Sequence, residues 1–297
     1  MIQDYLDFMK AVGHSKKSIE DNYYSLNLFA NFMRTQGITD VKFLNFNHMH
    51  QWQLYQNQRV TSKGLPLRPR SINNDFSKLK SFLLFLFKRD VIHKKLHEKI
   101  EFVKEPKLLP TSLLTDDEVS KLLDVFDVTT PIGFRNKTIV SFLYSSGLRL
   151  SELCKLDIKD VSLTQKTALV FGKGRKERIV PVGESTIVQI ESYIKAIRPF
   201  HCVDATEEAL FLSYRGSRIS TDAIQDMMRK ATKEAGFKGI TAHSMRRSFA
   251  TEMIKASANL YHVKDIMGHE DLRHLQKYVK LDIADLQRTH KKFHPRG

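Results

Sequence analysis

The sequence predicts a mainly α-helical protein of two domains with one small β-sheet in the second. Apolar residues recur at helical spacing over most of the chain, the rhythm lapses once around VKEPKLLPTS, and TALVFGKGRKERIVPV reads as paired strands. At 297 residues the chain is long enough for two cores. A hydrophobic content of 41%, a charged content of 27% and eight prolines describe a folded protein without low-complexity tracts.

The first ten residues form a short helix. In SKKSIEDNYYSLNLFANFMRTQG the positions Ile19, Tyr23, Leu26, Ala30 and Met33 predict one helical stripe, with Gly37 as its stop. A further helix is expected from His48 to Gln58. In RPRSINNDFSKLKSFLLFLFKRD, Ile72, Phe76, Leu79, Leu83 and Leu86 share a stripe and Ser71 is placed to cap the start. Residues 1–103 therefore read as an all-helical domain. Two prolines and flanking lysines assign residues 104–113 to a linker.

The second domain, 114–297, opens at TDDEVSKLLDVF, where Thr115 and Glu118 have the spacing of a capping box. In SSGLRLSEL, Gly147 marks a turn and Arg149 opens a helix whose buried stripe is Leu150, Leu153 and Leu156. TALVFGKGRKERIVPV is a hairpin with a basic tip. Helices are expected near 185–198, 220–235, 244–256, 260–267, 271–279 and 282–292, the last carrying an apolar stripe of Ile283, Leu286, His290 and Phe293.

A formal net charge of +15, shared by both halves, points to a polyanionic partner, of which nucleic acid is the commonest. Cys154 and Cys202 are too few for a disulfide framework or a four-cysteine zinc site. No apolar run reaches the roughly 18 residues of a membrane span and MIQDYLD is unlike a signal peptide, so a cytoplasmic protein is expected. The pairs His48/His50 and His290/His294 lack HExxH and a third ligand, and no metal or other cofactor is expected.

Taken one by one, the remaining polar candidates have ordinary structural readings. Arg149 and Glu152 are an i,i+3 ion pair, Lys173 is a solvated lysine on a hairpin tip, and His269, which follows a glycine, and Tyr278 are structural polar residues. The absence of GxxxxGK[ST] argues against a nucleotide loop.

Together, and in this order, GLRLSEL, GKGRKERIVPV, HSMRRSFAT, MGHEDL and the tyrosine of LQKYVK resemble the motif blocks of the tyrosine recombinase, or phage integrase, family. The likeness covers residues from about 112 to 297. The ending LQRTHKKFHPRG is similar to that of Xer-type recombinases, and the amino-terminal helices are similar, less specifically, to the SAM-like core-binding domain of the family. Met245, Arg247 and the approach LRHLQKY depart from the Xer pattern without touching a matched catalytic position.

The resemblance implies site-specific strand exchange through a covalent 3′-phosphotyrosine and a Holliday junction, with Tyr278 as nucleophile. Arg149, His243, Arg246 and His269 would attend the phosphate, Lys173 would be the general acid and Glu152 a support. Arginine suits a phosphate clamp because its planar fork stays charged and donates in pairs. Cations would then do what Mg²⁺ does in two-metal nucleases, so reaction in EDTA is expected. Candidate DNA contacts are Arg68, Arg70, Asn74 and Lys78 in the first domain and Arg175, Lys176 and Arg247 in the second. The family also implies a tetramer on two double-stranded sites with inverted repeats, exchange of carboxy-terminal helices between protomers, and a paralogous recombinase as a further partner. Resolution of replicon multimers is the expected role, with mobile-element integration, a non-catalytic DNA-binding regulator and a type IB topoisomerase as rivals.

Overall fold

The computed structural model describes residues 1–106, 113–172 and 177–268. The chain divides into two compact units, Met1–Leu108 and Leu109–Gly297. No helix among the described residues is long and apolar enough to cross a membrane.

The first unit contains α1 (Ile2–Ala11), α2 (Lys16–Thr35), α3 (Phe46–Gln58) and α4 (Pro69–Lys88). The starts of α2, α3 and α4 have local causes. Ser15 Oγ accepts the Ser18 amide at 3.2 Å, and Asn45 and His48 cap α3 reciprocally. That reciprocal bond occupies His48 Nδ1 in a structural role. The expected cap at Ser71 is corrected: α4 begins earlier, at Pro69, because proline lacks the amide that the first turn leaves unbonded and presets φ. The stripe Ile72, Phe76, Leu79, Leu83 and Leu86 is buried as expected. On α2 the stripe is rotated. Asn22, Ser25, Leu26, Phe29 and Met33 face inward, while Tyr23 is exposed, because Phe29 packs edge-on against Trp52 at 5.3 Å.

The second unit begins with α5 (Asp116–Asp124), whose Thr115 and Glu118 form the expected capping box. Then come α6 (Pro131–Ser146) and α7 (Leu150–Leu153), the latter a single turn. Strands β1 (Val161–Ser162), β2 (Thr167–Phe171) and β3 (Glu177–Pro181) form an antiparallel sheet in the order β1-β2-β3. Its β2–β3 register pairs Ala168 with Val180 and Val170 with Arg178. Ala168, Val170 and Val180 are buried beneath it, as the period of two requires for one face.

Helix α8 (Glu184–Ser192) passes into a π turn at Tyr193–Ile197, and α9 (Thr221–Glu234), α10 (Ala242–Lys255) and α11 (Leu260–Met267) follow. The core of this unit joins Leu122, Phe142, Leu153, Val180, Ile190, Met228 and Met245. Helices α6 and α11 end on left-handed glycines, Gly147 at φ 62° and Gly268 at φ 60°. Both glycines bear directly on the site below.

Candidate active site

Gly147 turns the chain out of α6, buries Leu148, and delivers Arg149 in extended conformation as the cap of α7. Its backbone amide donates to Glu152 Oε2 at 2.8 Å and its Nη1 to Oε1 at 2.7 Å. Nη2 donates to the Gly268 carbonyl at 2.9 Å. The side chain nevertheless stays 40% exposed, leaving guanidinium donors for an anion.

Arg246, on α10, is 2% exposed. Its Nη1 donates to the Gly147 carbonyl at 2.7 Å and Nη2 to the Met267 carbonyl. The two arginines are thus held by carbonyls from the ends of α6 and α11, where unpaired oxygens and the negative helix poles favour a cation. Glycine is required at 147 for more than its φ, since a Cβ there would lie 2.4 Å from Phe249 Cδ1.

His243 lies one turn before Arg246 on α10, is exposed, and lines the same cleft. Partial desolvation, then the positive charges of Arg246, Arg247 and Arg149, lower its pKa from the ordinary 6.5. At neutral pH it is therefore an uncharged imidazole, able to take up a proton.

Glu152 is 5% exposed and lies between two guanidiniums. Arg178 Nη1 and Nη2 donate to its two oxygens at 2.9 and 2.7 Å. Burial alone would raise its pKa, but the bonds from Arg178 and from the backbone and side chain of Arg149 outweigh that and hold it below 4.5. It is a carboxylate at working pH, unsuited to carry protons there.

Arg149, Arg178, His243 and Arg246 all line one cleft of about 2110 Å³. Its far wall is α9, which presents Gln225, Arg229 and Lys233 at successive turns. No sequence motif singles out these three. Arg178 is likewise outside the matched catalytic positions, but the sequence carries a signal for it: it is two residues from buried Val180 and so on the inward register of its strand, where a charge needs a partner. Arg247 is half-buried and lies outside the cleft lining. Lys173, Arg175, Lys176, His269 and Tyr278, with the helices expected after 270, lie outside the described residues. In the first unit Arg68, Arg70 and Asn74 are exposed around the start of α4, while Lys78 lies 4.0 Å from Asp75. Among the described residues no group of three or more His, Cys, Asp or Glu is placed to hold a metal.

Buried Arg246 and half-exposed Arg149, both anchored on carbonyls, sit with an uncharged imidazole at one cleft, an arrangement suited to binding an anion. Comparison with known proteins points the same way. Residues 112–284 match the phage integrase family. Over 299 residues the chain is 30% identical to tyrosine recombinase XerD of Staphylococcus epidermidis, covering 100% of this chain and 99% of the relative. It is 36% identical over 263 residues to tyrosine recombinase XerC of Psychromonas ingrahamii, covering 86% and 87%. Among solved structures, the Tn1549 transposon integrase in complex with a circular intermediate DNA superposes with a TM-score of 0.75 over 98% of both chains at 19% identity, a likeness of fold.

Proposed function

The chain belongs to the phage integrase family of tyrosine recombinases, enzymes that cleave and rejoin DNA, and from that premise we propose that it is a Xer-like recombinase working through a covalent 3′-phosphotyrosine at Tyr278. The observation that carries the reading is the convergence of Arg149 with His243 and Arg246 of α10, two stretches far apart in sequence, on one cleft. Two relatives at 30% and 36% identity, named XerD and XerC, support the Xer-like assignment, and resolution of replicon multimers is the role proposed with it, ahead of mobile-element integration.

In this reading the Tyr278 hydroxyl oxygen attacks the scissile phosphorus and the bond to the 5′ oxygen breaks. The phenolic proton passes to His243, and Lys173 protonates the departing 5′ oxygen. Negative charge that grows on the non-bridging oxygens meets the donors of Arg149, Arg246 and His269, which favour the five-coordinate state over the ground state. The phosphotyrosine retains the energy of the broken bond, so a 5′-hydroxyl from a second strand reverses the step without ATP. Strand exchange between two sites then passes through a Holliday junction.

Recognition would come from both units. Arg68, Arg70, Asn74 and Lys78 of the first, and Arg175, Lys176, Arg247, Gln225, Arg229 and Lys233 of the second, are proposed to contact the duplex. Four protomers on two inverted-repeat sites, exchanging carboxy-terminal helices, with or without a paralogous recombinase, complete the proposal. A cytoplasmic location is proposed with this role.

The test uses a nicked suicide duplex that traps the covalent intermediate, resolved on a denaturing gel in EDTA. The unaltered protein is expected to yield an adduct and Tyr278→Phe none. An adduct persisting in Tyr278→Phe, or absent from the unaltered protein, overturns the reading.

A further inference from the structure

We propose that Arg178 is a positioning residue for strand cleavage: its guanidinium braces Glu152 and the end of α11, the two supports on which Arg149 rests. This rests on the reading that Arg149 holds the scissile phosphate.

Arg178 is on the core face of β3 opposite Val170, and its side chain is 13% exposed. A guanidinium so placed is costly unless its donors are met. Three of them are: two by the oxygens of Glu152, and Nε by the Ile266 carbonyl at 2.8 Å. Gly268 lies against the same group, for a Cβ there would be 3.0 Å from Arg178 Cζ. Arg178 therefore bonds one acceptor of the Arg149 side chain, the Glu152 carboxylate, and lies beside Gly268, the residue whose carbonyl takes Nη2.

The arrangement has an electrostatic consequence as well. Paired with Arg149 alone, the Glu152 carboxylate would cancel the charge meant for the phosphate. With Arg178 as a second cation the cluster keeps one net positive charge, and the exposed member, Arg149, presents it to the cleft. Lysine cannot replace this brace, because a single ammonium cannot reach both carboxylate oxygens and the Ile266 carbonyl in one plane.

Single-turnover adduct formation on the nicked duplex, at saturating protein, is measured beside duplex affinity and thermal melting. Arg178→Lys is expected to slow adduct formation about 10- to 100-fold while changing the Kd by less than about twofold. Glu152→Gln, nearly isosteric, is expected to slow it in the same manner, and the double variant by less than the product of the two losses. Should Arg178→Lys not fold, Glu152→Gln supplies the same comparison of rate and affinity. Adduct formation within about twofold of the unaltered protein, affinity lost in step with rate, or independent losses in the double variant would each overturn the inference. Failure of the unaltered protein to form an adduct removes the proposed chemistry as well, whereas those three results remove only the role of Arg178.

Discussion

Replacing Gly147 with alanine perturbs the fold and the site through one atom. At φ 62° an L side chain costs about 1–2 kcal/mol. The new Cβ also falls 2.4, 2.8 and 3.1 Å from Cδ1, Cε1 and Cγ of Phe249, a ring 9% exposed in a cluster with Ala250, Val263 and Met267. Relief requires α10 or the α6 turn to move, and such overpacking costs about 1–3 kcal/mol. The sum, about 2–5 kcal/mol, corresponds to a Tm lower by roughly 5–15 °C in a domain of this size. Because the Gly147 carbonyl accepts Arg246 Nη1, the movement should also slow cleavage.

Scanning calorimetry on Gly147→Ala, Phe249→Ala and the double variant separates the two costs. Phe249→Ala alone removes a buried ring at about 3–5 kcal/mol, and the double variant should be less destabilised than the sum by the clash component, about 1–3 kcal/mol. A Gly147→Ala protein that melts with the parent, or strictly additive losses, would refute the reasoning.

Three further outcomes follow from the same geometry. Arg149→Lys keeps the charge but loses the fork, and should lower the single-turnover cleavage rate about 100- to 1000-fold with duplex binding retained; a rate within about tenfold of the parent contradicts the clamp. His243 and Glu152 both titrate below their ordinary 6.5 and 4.5, so the unfolded chain binds protons first as pH falls. Their stabilisation is present above those values and lost toward the folded ones, so Tm should fall in two windows, and His243→Gln should flatten the upper one. Arg70→Ala, at an exposed position in the first turn of α4, should reduce the slope of log affinity against log salt by about one; an unchanged slope removes Arg70 from the phosphate contacts.

Much of this molecule follows from local rules. The α4 stripe from Ile72 to Leu86, the Thr115 and Glu118 capping box and the β2–β3 hairpin each depend on residues a few positions apart, so periodicity and capping chemistry suffice to place them. The ordered motif blocks likewise carry the family, because each is a short contiguous run. Local spacing failed at α2, where Ala30 and Phe29 both fit a helical stripe and Trp52, from another helix, decides which one turns inward.

The same limit governs the site. Nothing near Arg149 in sequence shows that Gly268, 119 residues away, accepts its Nη2, or that Arg246 is seated on the carbonyl of Gly147, 99 residues away. Spacing alone suggests a surface pair of Arg149 and Glu152 worth a few tenths of a kcal/mol. Folding buries Glu152 and supplies Arg178 from the inward register of β3, and a surface pair becomes a three-residue cluster with one net charge facing the cleft. Residue types and their order are written along the chain, but desolvation and countercharge depend on which distant segments meet, and those exist only once the helix ends and the sheet have packed.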